Sequence, residues 1–163
     1  MEQGMAQQHS KQRIKTPCIG ICSTTSVGDA ICRGCKRFSF EVIDWNSYTS
    51  EEKQAVLDRL ESLVQPIVDT RFIIRSPEKL AAGMAHWAVP YNSALSPAIW
   101  LHNLLKKRHR ELNDLGIWGV EVRQEWWHLD LAALAEDMDV QLLRLCEAHQ
   151  IRYFSHLASS ESK

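Results

Sequence analysis

No run of about 18 consecutive apolar residues occurs in the chain, so no segment reads as a membrane-spanning helix. A dominant charge of one sign is missing as well. Lys and Arg number 19 against 20 Asp and Glu, a formal net charge of −1, which leaves no global field to draw the chain onto nucleic acid or an anionic membrane. Contacts of that kind would need a local patch. There is no internal repeat and no low-complexity tract. A nucleophile elbow, a phosphate-binding loop and a zinc-protease helix are all absent, so a binding or accessory role is expected before a catalytic one. Residues 1–15 are polar and lack the apolar stretch of a signal peptide. They read as a disordered leader, and the expected compartment is the cytoplasm, where thiols stay reduced.

What is present begins with composition. Apolar residues make up 45% and charged residues 24% of 163, as in an ordinary soluble globular protein. That length holds one domain, or a small stapled module with a second small domain. Four of the five cysteines fall within a short N-terminal stretch, as Cys18-x3-Cys22-x9-Cys32-x2-Cys35. Thiolates are soft ligands, and four in a tetrahedral array suit zinc or iron. Two ligands from one tight turn lose little further chain entropy on binding. In Cys32-Arg33-Gly34-Cys35 the glycine lets the backbone fold tightly, so that amide N–H groups can face the sulfurs, and Gly20 can do the same between Cys18 and Cys22. Arg33, Lys36 and Arg37 offset part of the thiolate charge. A thioredoxin-like redox pair at Cys32 and Cys35 is the competing reading, but it lacks the surrounding strand–helix pattern and leaves Cys18 and Cys22 unexplained.

The same residues carry a family resemblance. Thr16-Pro17-Cys18-Ile19-Gly20-Ile21-Cys22, then Cys32-Arg33-Gly34-Cys35-Lys36-Arg37, then Trp45 and Glu51-Glu52-Lys53 ahead of Leu57 and Leu60, resemble domain-of-unknown-function family 1289 over about residues 16 to 62. Its members are commonly labelled predicted iron–sulfur proteins of the YdhL type. The resemblance implies a four-cysteine metal site and supplies no catalytic residue. The loop between the two pairs is longer here than in typical members, which leaves the ligands undisturbed. Zinc and an iron–sulfur cluster both remain open: two compact turns favour zinc, and the family label favours a cluster.

Beyond the cysteines the chain reads as helical. Thr49-x-x-Glu52 is a capping box opening a helix whose apolar face (Val56, Leu57, Leu60, Leu63, Val64) runs up to Pro66. Phe72-Ile73-Ile74 is a short strand candidate. Ser76-Pro77 and Ser96-Pro97 are helix starts, the second opening a long helix from Pro97 to about Leu115 with Gly116 at its C-terminal cap. Leu131 to Met138 and Val140 to His149 then have the rhythm of a helix-turn-helix, with Asp130 as cap and Asp139 in the turn. Pairing of Val120–Trp127 with Ile151–Phe154 beside it would make a winged-helix-like unit. If the segment read DNA, Gln141 and Arg144 would face it, and the run Lys106, Lys107, Arg108 and Arg110 would lie against phosphates. Acidic Glu136, Asp137 and Asp139 at the entry argue against that, and a solvated helix face is the plainer reading of the basic run. Six tryptophans are expected as core or interface anchors, and Cys146 as a small buried hydrophobe.

The expected architecture is mainly α. A leader over 1–15 precedes a cysteine-rich metal-binding module with its following helix over 16–66, a mostly helical, winged-helix-like C-terminal domain over 67–158, and a tail over 159–163. Metal ligands are Cys18, Cys22, Cys32 and Cys35, holding an iron–sulfur cluster or Zn2+. The expected partner is another protein, with DNA second through the 130–150 segment in a metal- or redox-responsive regulator, and no membrane.

Overall fold

Thr49 and Glu52 start the first long helix as their spacing predicts. The Thr49 hydroxyl accepts the Glu52 N–H at 3.1 Å, and the Glu52 carboxylate accepts the Thr49 N–H at 2.8 Å. Two free donors at the helix end are thereby satisfied. The computed structural model describes residues 14–18 and 20–158, so the tail and all but the end of the leader lie outside the described residues. The chain is mainly helical. Two five-residue helices, α1 (Ser23–Val27) and α2 (Ser39–Ile43), precede α3 (Ser50–Asp69). Strand β1 (Phe72–Ile74), α4 (Pro77–His86) and α5 (Pro97–Arg108) follow, then β2 (Val120–Val122) and α6 (Leu131–Ala158). No described helix is long and apolar enough to cross a membrane.

One apolar core joins these elements. Val64 and Val68 of α3, Leu80 and Met84 of α4, Leu101, Leu104 and Leu105 of α5, and Leu134, Met138 and Leu142 of α6 are all buried in it. Ile31 and Phe38, which flank the second cysteine pair, belong to the same cluster. The cysteine segment is therefore seated on the helices, with the second pair held between two core anchors. Most tryptophans pack into or against the core, whereas Trp127 is 69% exposed. Trp118 is 3% exposed and meets Trp87 edge-on at 5.1 Å, while Trp126 donates to the Thr70 carbonyl at 3.0 Å under the Arg71 guanidinium. Gly83 makes the first arrangement possible, because a Cβ there would lie 2.3 Å from the Trp118 ring.

Several expectations are corrected. The helix-turn-helix does not form: residues 131–158 are one continuous helix of 28 residues, with Asp139 in its interior. Asp130 does cap it, accepting the Ala133 N–H at 2.8 Å. Leu134, Met138, Leu142 and Cys146 recur every four residues as an unbroken buried stripe, and no glycine or proline interrupts them. Asp137 and Asp139, at the entry of the expected second helix, are tethers. Asp137 accepts both Nε (2.9 Å) and Nη2 (2.5 Å) of Arg71, and Asp139 accepts Lys36 Nζ at 2.6 Å.

The winged-helix-like unit falls with it. Val120–Val122 pairs antiparallel with β1, setting Phe72 opposite Val122 and Ile74 opposite Val120, and Ile151–Phe154 is helical. α5 ends at Arg108 rather than near Leu115, although Leu112 and Leu115 still reach the core. α3 carries Pro66 inside it and runs one turn further, because the proline ring removes one donor while the Pro66 carbonyl still accepts the Thr70 N–H at 3.1 Å.

Candidate metal centre

The segment from Ile31 to Phe38 is a small hairpin with the second cysteine pair at its tip. Ile31 and Phe38 form an antiparallel bridge, Cys32 N–H donates to the Arg37 carbonyl at 2.9 Å, and Lys36 N–H donates to the Cys32 carbonyl at 2.7 Å. The turn covers residues 33–35, and the left-handed residue that ends it is Lys36, whose φ is 63°. A left-handed lysine is uncommon, and its side chain is held from both ends. Its ammonium donates to Asp139 and to the Arg33 carbonyl, and it is 1% exposed.

Backbone amides converge on the sulfurs. Gly20 N–H donates to Cys18 Sγ at 3.4 Å. The N–H groups of Cys35, Ser23 and Gly34 bond the Cys32 sulfur, and that of Arg37 bonds the Cys35 sulfur. Cys18, Cys32 and Cys35 thus each receive an amide from two residues further along the chain. The Ser23 bond also brings the backbone just after Cys22 against Cys32, and the Ser23 hydroxyl accepts the Arg33 N–H at 2.8 Å. Both cysteine turns are tied together in this way.

Electrostatics follow from these bonds. Burial alone would raise the Cys32 thiol, but the amides of Cys35, Ser23 and Gly34, with the Cys35 thiol, outweigh it and bring it down to about 6. Burial pushes the Cys35 thiol up despite Arg37, whose Nε lies 3.3 Å from its sulfur and whose guanidinium stacks on Trp45 at 4.8 Å. Cys146, fully buried in α6, is pushed up to about 11 and is the inert core thiol expected.

In donor chemistry these residues fit a thiolate-held metal centre: the sulfurs are free thiols, and amide dipoles face three of them. The convergence is incomplete. Among the described residues no three His, Cys, Asp or Glu side chains are grouped to hold a metal ion. Cys32 and Cys35 are buried, Cys22 is half-buried, and Cys18 is exposed. Four-sulfur ligation requires the Cys18–Cys22 turn to close onto the buried pair.

The residues considered for nucleic acid are dispersed in role. Gln141 and Arg144 sit in the middle of α6 with no turn ahead of them. Arg108 pairs with Glu111 at 2.9 Å, while Lys107 and Arg110 face solvent. Lys106 turns inward instead, and its Nζ donates to the Gly34 carbonyl at 2.6 Å. Sequence reasoning missed this contact. Its only signal was helical spacing, which places Lys106 one turn after His102 on the buried side of α5.

His102 is 9% exposed among these charges. Burial first, then Lys106 and Lys36, against the pull of Asp139, lower its pKa to about 4. The folded value lies below the unfolded one, so the unfolded chain takes up the proton first as pH falls. Stability from this group is complete above about pH 6.5 and is lost progressively down to the folded pKa, by about 3 kcal/mol at most. Urea titrations at stepped pH are expected to show that loss, and His102→Leu to remove most of the slope. An unchanged slope in the variant would place the titration elsewhere.

With this geometry, comparison with known proteins places the N-terminal segment. Residues 16–63 match the family of proteins of unknown function DUF1289. The DUF1289 segment therefore holds all four clustered cysteines, the hairpin and most of α3. Within it the chain is 42% identical over 53 residues to the uncharacterized protein YdhL of Escherichia coli, and equally so to that of Shigella flexneri. Each match covers 32% of this chain and 65% of the relative, so the chain spans less than two thirds of the curated relatives it matches. No solved structure matches the chain. Lys106, Asp139 and His102 all lie outside the DUF1289 segment.

Proposed function

We propose that the chain is a metal-binding accessory protein in which Cys18, Cys22, Cys32 and Cys35 together hold one zinc ion or one iron–sulfur cluster. The carrying observation is the set of backbone amides aimed at Cys18, Cys32 and Cys35 from two residues downstream. Such donors stabilise the thiolate form, which is the form that binds metal. Ligation by all four cysteines closes the coordination sphere, as in structural zinc sites, and leaves no open position for substrate. The role is then binding, or electron transfer if the group is a cluster. The partner in this reading is another protein, and Ile21 (77% exposed) and Val27 (71% exposed) are the exposed large apolar residues nearest the cysteines along the chain.

Anaerobic purification followed by a visible spectrum and metal analysis tests the proposal. Brown protein with iron and sulfide assigns a cluster, whereas colourless protein with one zinc per chain assigns a structural site and removes electron transfer. Cys32→Ser is expected to lose the metal in either case, because it removes the sulfur that receives most of the amides. Wild-type protein that carries neither metal, and takes up none when supplied with it, would sink the reading.

A further inference from the structure

Lys106 occupies an unusual position for a lysine in a basic run. It leaves α5 toward the interior and donates to the Gly34 carbonyl at 2.6 Å, inside the Cys32–Cys35 turn. That carbonyl belongs to the peptide unit linking Gly34 to Cys35, and the N–H of the same unit bonds the Cys32 sulfur. A continuous line of donors thus runs from the Lys106 ammonium through one peptide group to the sulfur. An ammonium on the oxygen polarises the peptide and strengthens its N–H as a donor. Its benefit is largest when the sulfur is a thiolate.

The surrounding charges support the same conclusion. A half-buried ammonium is costly without a negative partner. Burial and the neighbouring Lys36 ammonium push the Lys106 pKa down, and the carboxylate that opposes them is Asp139, which already accepts Lys36 Nζ at 2.6 Å. The sulfurs of Cys35 and Cys32 oppose them too once they are thiolates, as metal binding requires. Arg37 approaches Cys35 from within the hairpin, so Lys106 supplies a second positive charge from the helical layer.

We infer that Lys106, contributed by α5 from outside the DUF1289 segment, is a positioning and charge-compensating residue of the cysteine site, holding the Gly34–Cys35 peptide against Cys32 and offsetting thiolate charge when metal is bound. The inference rests on the metal reading proposed above and adds that the C-terminal half is part of the site. Outer partners of metal ligands set ligand orientation and basicity, and their loss commonly costs about 10–100-fold in metal affinity.

The test is Zn2+ affinity by chelator competition on reduced, metal-free full-length protein, with Co2+ titration followed by its visible spectrum. Wild type is compared with Lys106→Met, which keeps length and packing without charge, and with Lys106→Arg, which restores charge. Lys106→Met is expected to bind Zn2+ about tenfold more weakly and to shift the Co2+ thiolate bands, with Lys106→Arg recovering most of both. Equal affinities and spectra in wild type and Lys106→Met overturn the inference and leave the four-cysteine reading standing. So does a drop in the metal-free melting temperature with affinity unchanged, since that marks a packing role alone. If Lys106→Met fails to fold, Lys106→Gln takes its place under the same criteria. Wild type that binds neither ion overturns the metal reading and this inference together.

Discussion

Arg59→Met is expected to lower stability by about 3–5 kcal/mol, measured by urea unfolding at neutral pH. Arg59 of α3 grips the Glu41 carboxylate of α2 with both terminal nitrogens, Nη2 standing 2.8 Å from Oε2. Both side chains are largely buried, Arg59 at 12% and Glu41 at 4% exposure. Glu41 also accepts the Phe38 N–H at 2.9 Å, and the guanidinium lies over the Phe38 ring at 4.1 Å. Methionine keeps the length and the contact with Phe38 but leaves a carboxylate in the core with one amide for company. Removing one partner of a buried pair costs far more than removing both. The double variant Arg59→Met with Glu41→Gln is therefore expected to recover most of the loss, since a neutral amide can still accept from Phe38. A double variant no more stable than Arg59→Met alone would show that the cost lies in packing. The pair matters to the site because Phe38 closes the hairpin that carries Cys32 and Cys35.

Asp139→Pro is expected to be comparably damaging, and it separates a continuous helix from two short ones. In the interior of α6 the ring removes the N–H that would bond the carbonyl four residues back and clashes with that carbonyl, at about 3 kcal/mol or more. Loss of the carboxylate also strands the Lys36 ammonium, which keeps only the Arg33 carbonyl. Asp139 itself is 47% exposed, so solvent screening lowers that second part below the range for a buried pair, to about 1–2 kcal/mol. Asp139→Ala isolates the ion pair, because alanine keeps the helix intact. Urea unfolding of the two variants should place proline well below alanine. Near-equal stabilities would mean that residue 139 lies in a turn after all.

Signals whose physics is local agree with the structure. The Thr49–Glu52 box, the Ser76-Pro77 and Ser96-Pro97 starts, the Asp130 cap and the strand at Phe72–Ile74 all depend on residues within a few positions of one another. Helix ends were harder. α3 passes Pro66, and α5 stops at Arg108 although Leu112 and Leu115 beyond it are buried in the core. The error at Asp139 has a long-range origin. The helix-turn-helix rhythm puts Asp139 in a turn, whereas the Arg71 and Lys36 side chains that hold Asp137 and Asp139 on one continuous helix lie far away along the chain.

By itself the sequence determined the mainly helical class, the helix starts, and the cysteine pattern with the amide-rich turns that face its sulfurs. These are consequences of short-range sterics and hydrogen bonding, and a single stretch of chain contains them. Which strands pair, the single helix over residues 131–158 and the seating of the Cys32–Cys35 hairpin on α5 and α6 emerge only when the elements pack. Those outcomes depend on charges and apolar faces that meet across long separations, as Lys36 meets Asp139 and Lys106 meets Gly34. A lysine that reads as solvated surface in one dimension becomes part of the cysteine site once the helices pack, because burial forces its charge to find a partner.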